Sequence, residues 1–425
     1  MGLIDVTARM ASARLQPQTA AGAIAAEAAE RFAAEFAESA FEHDRSATFA
    51  TEHLDKLRSG GFLLAPVPTE FGGGGVDTIH DMLVASSRLA AGDPSTTIGV
   101  NMHFAIVINM VRGWQVAAAR GQTSRVAALA GMIRRTVDDD IVYSSAVSEA
   151  APQDLTRPTT TARRTESGWV VDGHKVFCTM APAATLITTA VRYKDQDGVE
   201  RTGFAFIPST ADGVIFNDDW DAIGMRASES GTMTLRGVEL GADAVRDGFP
   251  SGRYATALYD RFLASGAFHA AAALGIAESA HARALEAIAR RRDTVPEDPH
   301  AMSTLAANIV ELTAMRASLG LAGRRIDEYF AAFPCGDSSV EEAQVITAEV
   351  QAAKAFICDG APRVADRALA LSGGAGYMAS HPLAKAWRDA RAGAFMHPFG
   401  ANRAYELVAR TALGLDPRPE PGATR

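Results

Sequence analysis

The segment from Ser372 to Glu406, SGGAGYMASHPLAKAWRDARAGAFMHPFGANRAYE, concentrates residues able to do chemistry: a glycine-rich turn, a stretch carrying Lys385, Arg388 and Asp389, and then His397. An imidazole titrates near neutrality, so it can donate a hydrogen bond or take a proton from a phenol or an amine. A second histidine, His103, lies in the apolar run IGVNMHFAIVINM, where a satisfied core histidine is the competing reading. Spacing argues against other chemistries. The ten histidines form no HxH or HxxxH pair and no His/Cys cluster, so no metal site is expected. There is no P-loop and no GxSxG, and GGAG is a turn, since no GxGxxG follows a strand.

Three kinds of pattern must position these groups. Residues 1–141 are Ala-rich with apolar residues at helical spacing, as in AAGAIAAEAAERFAAEFAES, and read as a helical domain. Residues 142–245 change to short β-rich runs divided by Gly turns, and read as a small antiparallel barrel or sandwich. Residues 246–425 return to long Ala/Leu/Arg segments, the pattern of a helical bundle. The fold class is therefore α+β, and 425 residues exceed what one core usually holds.

Composition narrows the partners. Hydrophobic residues at 48% and charged residues at 21% describe a globular protein, and a net charge of −9 argues against a nucleic-acid surface. The three cysteines, Cys178, Cys335 and Cys358, lack CxxC spacing and read as reduced thiols of a cytoplasmic protein. No apolar run reaches the roughly 18 residues of a membrane span, and the N-terminus lacks a secretory pattern.

Several of these segments resemble the acyl-CoA dehydrogenase superfamily. Gly373, Gly374, Gly376 and Tyr377 match its GGxGY turn, and Pro382, Leu383, Lys385, Arg388, Asp389 and Ala390 match its PLxKxxRDA helix. FLLAPVPTEFGGGGVD is similar to its PxxYGGxGxD loop, and Gly224, Met225, Arg226 and Ser228 to its LGMRxS segment. Over residues 45–415 the resemblance implies an N-terminal helical domain, a middle antiparallel β-barrel and a C-terminal four-helix bundle, assembled as a homotetramer. It also implies a flavin. His397 stands where the family carries its catalytic Glu, and Ser265 at the alternative position, so neither can serve as that carboxylate.

For the flavin, the resemblance implies contacts from Ser145, Val147 and Ser148, an aromatic wall from Phe177, and a hydroxyl near N5 from Thr179. Arg291, Gly373 and Gly374 match elements that reach a flavin bound by a neighbouring subunit. Phe399 replaces a nucleotide-contacting Thr, so FAD and FMN both stay open. The run Trp387 to Gly393, WRDARAG, is similar to the family's two-component flavin monooxygenases. That branch implies reduced flavin from a separate reductase, O2, a small organic substrate, and His397 and His103 as active-site histidines. The alternatives are an atypical acyl-CoA dehydrogenase, with Glu149 or Glu406 as the nearest substitute bases, and an inactive partner subunit.

Overall fold

Short polar side chains ahead of apolar runs set where three of the N-terminal helices begin. In the computed structural model, which describes residues 13–150, 154–289, 298–396, 398–400 and 402–417, Thr19 accepts from the Gly22 amide at 2.9 Å and starts α1 (Ala20–Phe36). Helices α2 (Ser39–Ser46) and α3 (Thr51–Ser59) follow. Thr78 caps α4 (Ile79–Ala90), and Asp93 caps α5 (Pro94–Ala119), whose first turn holds Pro94. Helix α6 (Thr123–Asp138) ends this helical third. Every residue of α4 is buried, because α1 covers one side of it and the C-terminal helices the other.

From Tyr143 the chain alternates inward and outward residues. The strands are β1 (Tyr143–Ser145), β2 (Thr161–Arg164), β3 (Gly168–Lys175), β4 (Leu186–Lys194), β5 (Glu200–Pro208), β6 (Val214–Phe216), β7 (Met233–Gly241) and β8 (Val245–Pro250). They form one sheet in the order β6-β7-β3-β2-β4-β5-β8, with β1 paired to β4. Trp169, Val171, Val191, Ala205, Ile207 and Val238 fill its inner face. Two expectations need correction. The sheet is not wholly antiparallel, since β1 and β2 both run parallel to β4. Among the described residues it is also not a closed barrel, because β6 and β8 stand at the two ends of the order.

Strand structure runs past residue 245, where the β region was expected to end, because Thr202 and Phe204 of β5 supply partners to β8. Helices then resume as α7 (Thr256–Ala289), α8 (Pro299–Ala332), α9 (Val340–Leu371), α10 (Pro382–Ala390) and α11 (Asn402–Ala412). Among the described residues three long helices with two short ones packed on α9 stand where a four-helix bundle was expected. A Ser339–Glu342 capping box starts α9. At Gly275 an added Cβ would lie 2.2 Å from the Ser87 carbonyl oxygen, so glycine lets α7 cross α4 in close contact. Among the described residues no helix is long and apolar enough to cross a membrane.

The Arg388–Asp389 pair does structural work. Asp389, fully buried, accepts from the Met225 amide at 2.6 Å and from Lys385 Nζ. Arg388 pairs with the buried Asp44 of α2 and donates to the Ile223 carbonyl at 3.2 Å. Helix α10 thus holds an N-terminal helix and a β-domain loop together. Gly224 sits at that junction, where a Cβ would fall 2.2 Å from the Arg388 carbonyl oxygen.

Candidate functional site

A cavity of about 390 Å³ opens where the sheet meets α5, α7 and the segment after α10. Ser145, Val147, Ser148, Phe177 and Thr179, five of the residues expected to hold a flavin, all line it. Ile98, Met102 and Ile106 of α5 supply an apolar side, and Arg261, Phe262, Ser265 and His269 of α7 face them. Such a mostly apolar cavity with a few placed polar groups is the usual form of a cofactor or substrate site.

The sheet side is rigid. Four of the six non-glycine residues with left-handed φ among the described residues, Phe177, Met180, Met225 and Glu229, lie on the wall or one residue from it. Each such conformation costs on the order of 1–3 kcal/mol and persists only where the surroundings hold it. Here the Cys178 amide donates to the Gly231 carbonyl at 2.9 Å and the Met180 amide to the Ser228 carbonyl at 3.1 Å. The result is a Phe177 ring that stays 57% exposed, its edge toward Trp220 at 6.1 Å. Beside it the Thr179 hydroxyl meets Ser230 Oγ at 2.8 Å, and Ser230 meets Ser228 Oγ at 2.6 Å. An open aromatic face beside a row of hydroxyls fits a flavin ring, which needs a flat wall and polar groups at its edge.

Carboxylates are nearly absent from this wall. Among the described lining residues the one carboxylate is Asp221, whose side chain is fully solvent-exposed and 3.8 Å from Arg226. Glu149 is spent elsewhere. It bonds Lys175 Nζ at 2.7 Å and accepts four hydrogen bonds from Thr159 and Thr160. Burial pushes its pKa up, but the Lys175 charge and these bonds outweigh burial and hold it at about 2. Glu406 lies on α11, off the cavity wall, 3.7 Å from Arg410. Neither glutamate can act as a base on a ligand in the cavity.

His103 requires a correction. It is fully buried and not on the cavity wall. Its Nε2 donates to the Leu63 carbonyl at 3.0 Å, which leaves Nδ1 to accept from the Tyr143 amide at 3.2 Å. Burial lowers its pKa to about 4, so the ring is neutral and both nitrogens are used in stitching α5 to β1. Gly373 and Gly374 lie in an exposed turn away from the cavity, with open space where their Cβ atoms would be. Arg291 and His397 lie outside the described residues. The chain on either side of position 397 is held by the buried Lys354, whose Nζ donates to the carbonyls of Met396 at 2.5 Å and Phe399 at 3.2 Å. Burial lowers the Lys354 pKa to about 8.

Sequence reading missed Arg261 and Trp220. For Arg261 the signal was a single cation in the apolar run TALYDRFLASGAF, masked by the adjacent Asp260 as an apparent partner.

Residues 20–117, 146–238 and 267–399 match the N-terminal, middle and C-terminal domains of acyl-CoA dehydrogenase. The chain is 29% identical over 405 residues to the amino sugar nitrososynthase DnmZ of Streptomyces peucetius, covering 94% of this chain and 95% of that protein. It is 30% identical over 380 residues to the amino sugar nitrososynthase RubN8 of Streptomyces rubradiris, covering 88% and 86%. The structure of KijD3 in complex with FMN and dTDP-3-amino-2,3,6-trideoxy-4-keto-3-methyl-D-glucose matches with a TM-score of 0.84 at 30% identity, covering 95% of this chain and 96% of that one.

Proposed function

The chain belongs to the acyl-CoA dehydrogenase family, and from that premise we propose that it is a monooxygenase oxidising the nitrogen of an amino sugar. As a flavin-dependent oxidoreductase it takes FMN or FAD, and reduced flavin, when bound, supplies the electrons that activate O2. The observation that carries the reading is a flavin-shaped wall facing a cavity without an enclosed carboxylate among its described residues. A dehydrogenase of this fold needs such a base against the substrate. An amine oxidation does not need it, because the nitrogen lone pair is itself the reacting group.

Each residue then has a task. Phe177 backs the ring, Thr179 and the Ser228–Ser230 pair offer hydroxyls at its edge, and the apolar side chains of α5 exclude water. The reading gives His397 the proton transfers at the amine, since Met396 beside it lines the cavity and Lys354 holds both flanks of its loop. The exposed aromatic Tyr377, at the end of the turn that begins with Gly373 and Gly374, supports a homotetramer in which that turn meets a neighbour's flavin. Reduced flavin would come from a separate reductase.

The test supplies reduced FMN, O2 and a nucleotide-linked amino sugar. Wild type should form the N-oxidised product, and His397→Asn should lose about 10²-fold in product while flavin oxidation continues with release of H2O2. Anaerobic reduction of bound flavin by an acyl-CoA, with no O2-dependent amine oxidation, would make the protein an atypical dehydrogenase.

A further inference from the structure

Three methionines line the cavity, and the structure treats them differently. Met102 lies on α5, Met225 between β6 and β7, and Met396 at the end of the segment after α10. Met225 is 2% exposed, its amide donates to Asp389 at 2.6 Å, and its Sδ accepts from Ser95 Oγ at 3.9 Å. Met102 and Met396 are half-buried, and among the described residues no hydrogen bond reaches either sulfur. The apolar positions around them are filled by Ile98, Ala105, Ile106 and Phe262, so these two thioethers are the soft, reactive points of an otherwise hydrocarbon lining.

A thioether gives two electrons to a peroxide, taking up one oxygen atom as a sulfoxide while the other oxygen leaves as water. Where that happens depends on where the peroxide arises. Met302 and Met378 are 50% and 59% exposed and lie outside the cavity, so peroxide from solvent meets them first. Peroxide arising inside the cavity meets Met102 and Met396 first, one from α5 and one from the segment after α10. Exposure and cavity position thus select opposite pairs of methionines.

We propose that Met102 and Met396 are modification sites: when flavin oxidation runs without product, hydrogen peroxide released in the cavity passes one oxygen atom to each sulfur, leaving two sulfoxides and water. A sulfoxide sets a polar S=O group on the apolar side of the cavity, which opposes the packing of a ligand there. Turnover without substrate therefore shuts the site by degrees, and a reductase acting on methionine sulfoxide reopens it. This rests on the monooxygenase reading above and adds to it a response by which the protein limits its own peroxide release.

The test loads the full chain, in excess over FMN, with reduced flavin under anaerobic conditions and then admits O2, with no amine present and with catalase in solution. Peptides are mapped by mass spectrometry after repeated cycles. Met102 and Met396 should each gain one oxygen atom, while Met225, Met302 and Met378 stay as in an anaerobic control, because catalase removes peroxide that has left the cavity. Hydrogen peroxide added to the flavin-free chain should give the opposite order, with Met302 and Met378 oxidised first. Amine oxidation should fall in step with the two sulfoxides and return after treatment with methionine sulfoxide reductase. A Met102→Leu/Met396→Leu protein, measured against its own starting activity, should keep that activity through cycles that inactivate wild type; if it does not fold, the wild-type peptide map decides. Oxidation that follows solvent exposure, or that catalase prevents at every methionine, would overturn the inference. Bound flavin that reoxidises with release of H2O2 while both sulfurs stay unchanged would remove it and leave the proposed function standing. Bound reduced flavin that O2 does not reoxidise would remove that reading and this inference with it.

Discussion

On the sheet side of the cavity Thr179, Ser228 and Ser230 bond one another, and Glu149 is saturated by Lys175, Thr159 and Thr160. On the helix side Arg261 makes, among the described residues, one hydrogen bond, to Thr188 Oγ1, and Ser265 makes only long bonds. A wall that must present a large flat cofactor in one pose gains from being fixed before the cofactor arrives. A wall that must recognise a substrate gains from groups left open, because their satisfaction then depends on the right ligand. Substitutions on the first side should therefore cost stability, and on the second mainly binding.

The largest effect is expected at Glu149. Its side chain is 8% exposed and that of Lys175 is 0% exposed, so Glu149→Ala leaves a buried ammonium unpaired and should destabilise the protein by about 3–5 kcal/mol in chemical denaturation. The pH dependence sharpens this. With the folded pKa held at about 2 and the ordinary value at 4.5, the wild type keeps this contribution above pH 4.5 and loses it as pH falls toward 2. The gap between wild type and variant should close over that window; a constant gap would mean that Glu149 is not the stiffening element of the sheet side.

A smaller effect is expected at Thr179. Thr179→Val keeps the shape of the side chain and removes its bond to Ser230, for a loss of about 0.5–1.5 kcal/mol together with weaker flavin binding. Unchanged flavin affinity and reoxidation kinetics would take Thr179 away from the ring. The smallest effect belongs to the helix side. Ser265→Ala should shift stability by less than about 0.5 kcal/mol while lowering affinity for a ligand in the cavity, and a marked drop in melting temperature would erase the contrast between the two walls.

The sheet-side residues were legible in the sequence because their relations are local. Phe177 and Thr179 are two residues apart and Ser145 to Ser148 form one short run, so a motif places them together without knowledge of the fold. Long-range relations were not legible. Nothing in IGVNMHFAIVINM reveals that a loop carbonyl at Leu63 and a strand amide at Tyr143 would use both nitrogens of His103. Asp260 beside Arg261 suggests a pair that the helix forbids by turning the two side chains in different directions. The parallel pairing of β1 and β2 with β4 escaped for a similar reason, since strand direction depends on the path of the chain between strands and not on alternation within them.

The junction made by Arg388 and Asp389 also sets an order of events during synthesis. Arg388 reaches back 344 residues to Asp44, and Asp389 reaches back 164 residues to Met225. Contacts so distant along the chain form late, because the loops they close must first be drawn together. The helical third and the sheet can each take shape as they leave the ribosome, with His103 already joining α5 to β1, but the tie made by α10 waits until residue 389 has emerged. A ribosome stalled before that point would carry the Phe177 face without the side of the cavity that Arg388, Phe395 and Met396 supply, leaving an open aromatic surface for chaperones to cover.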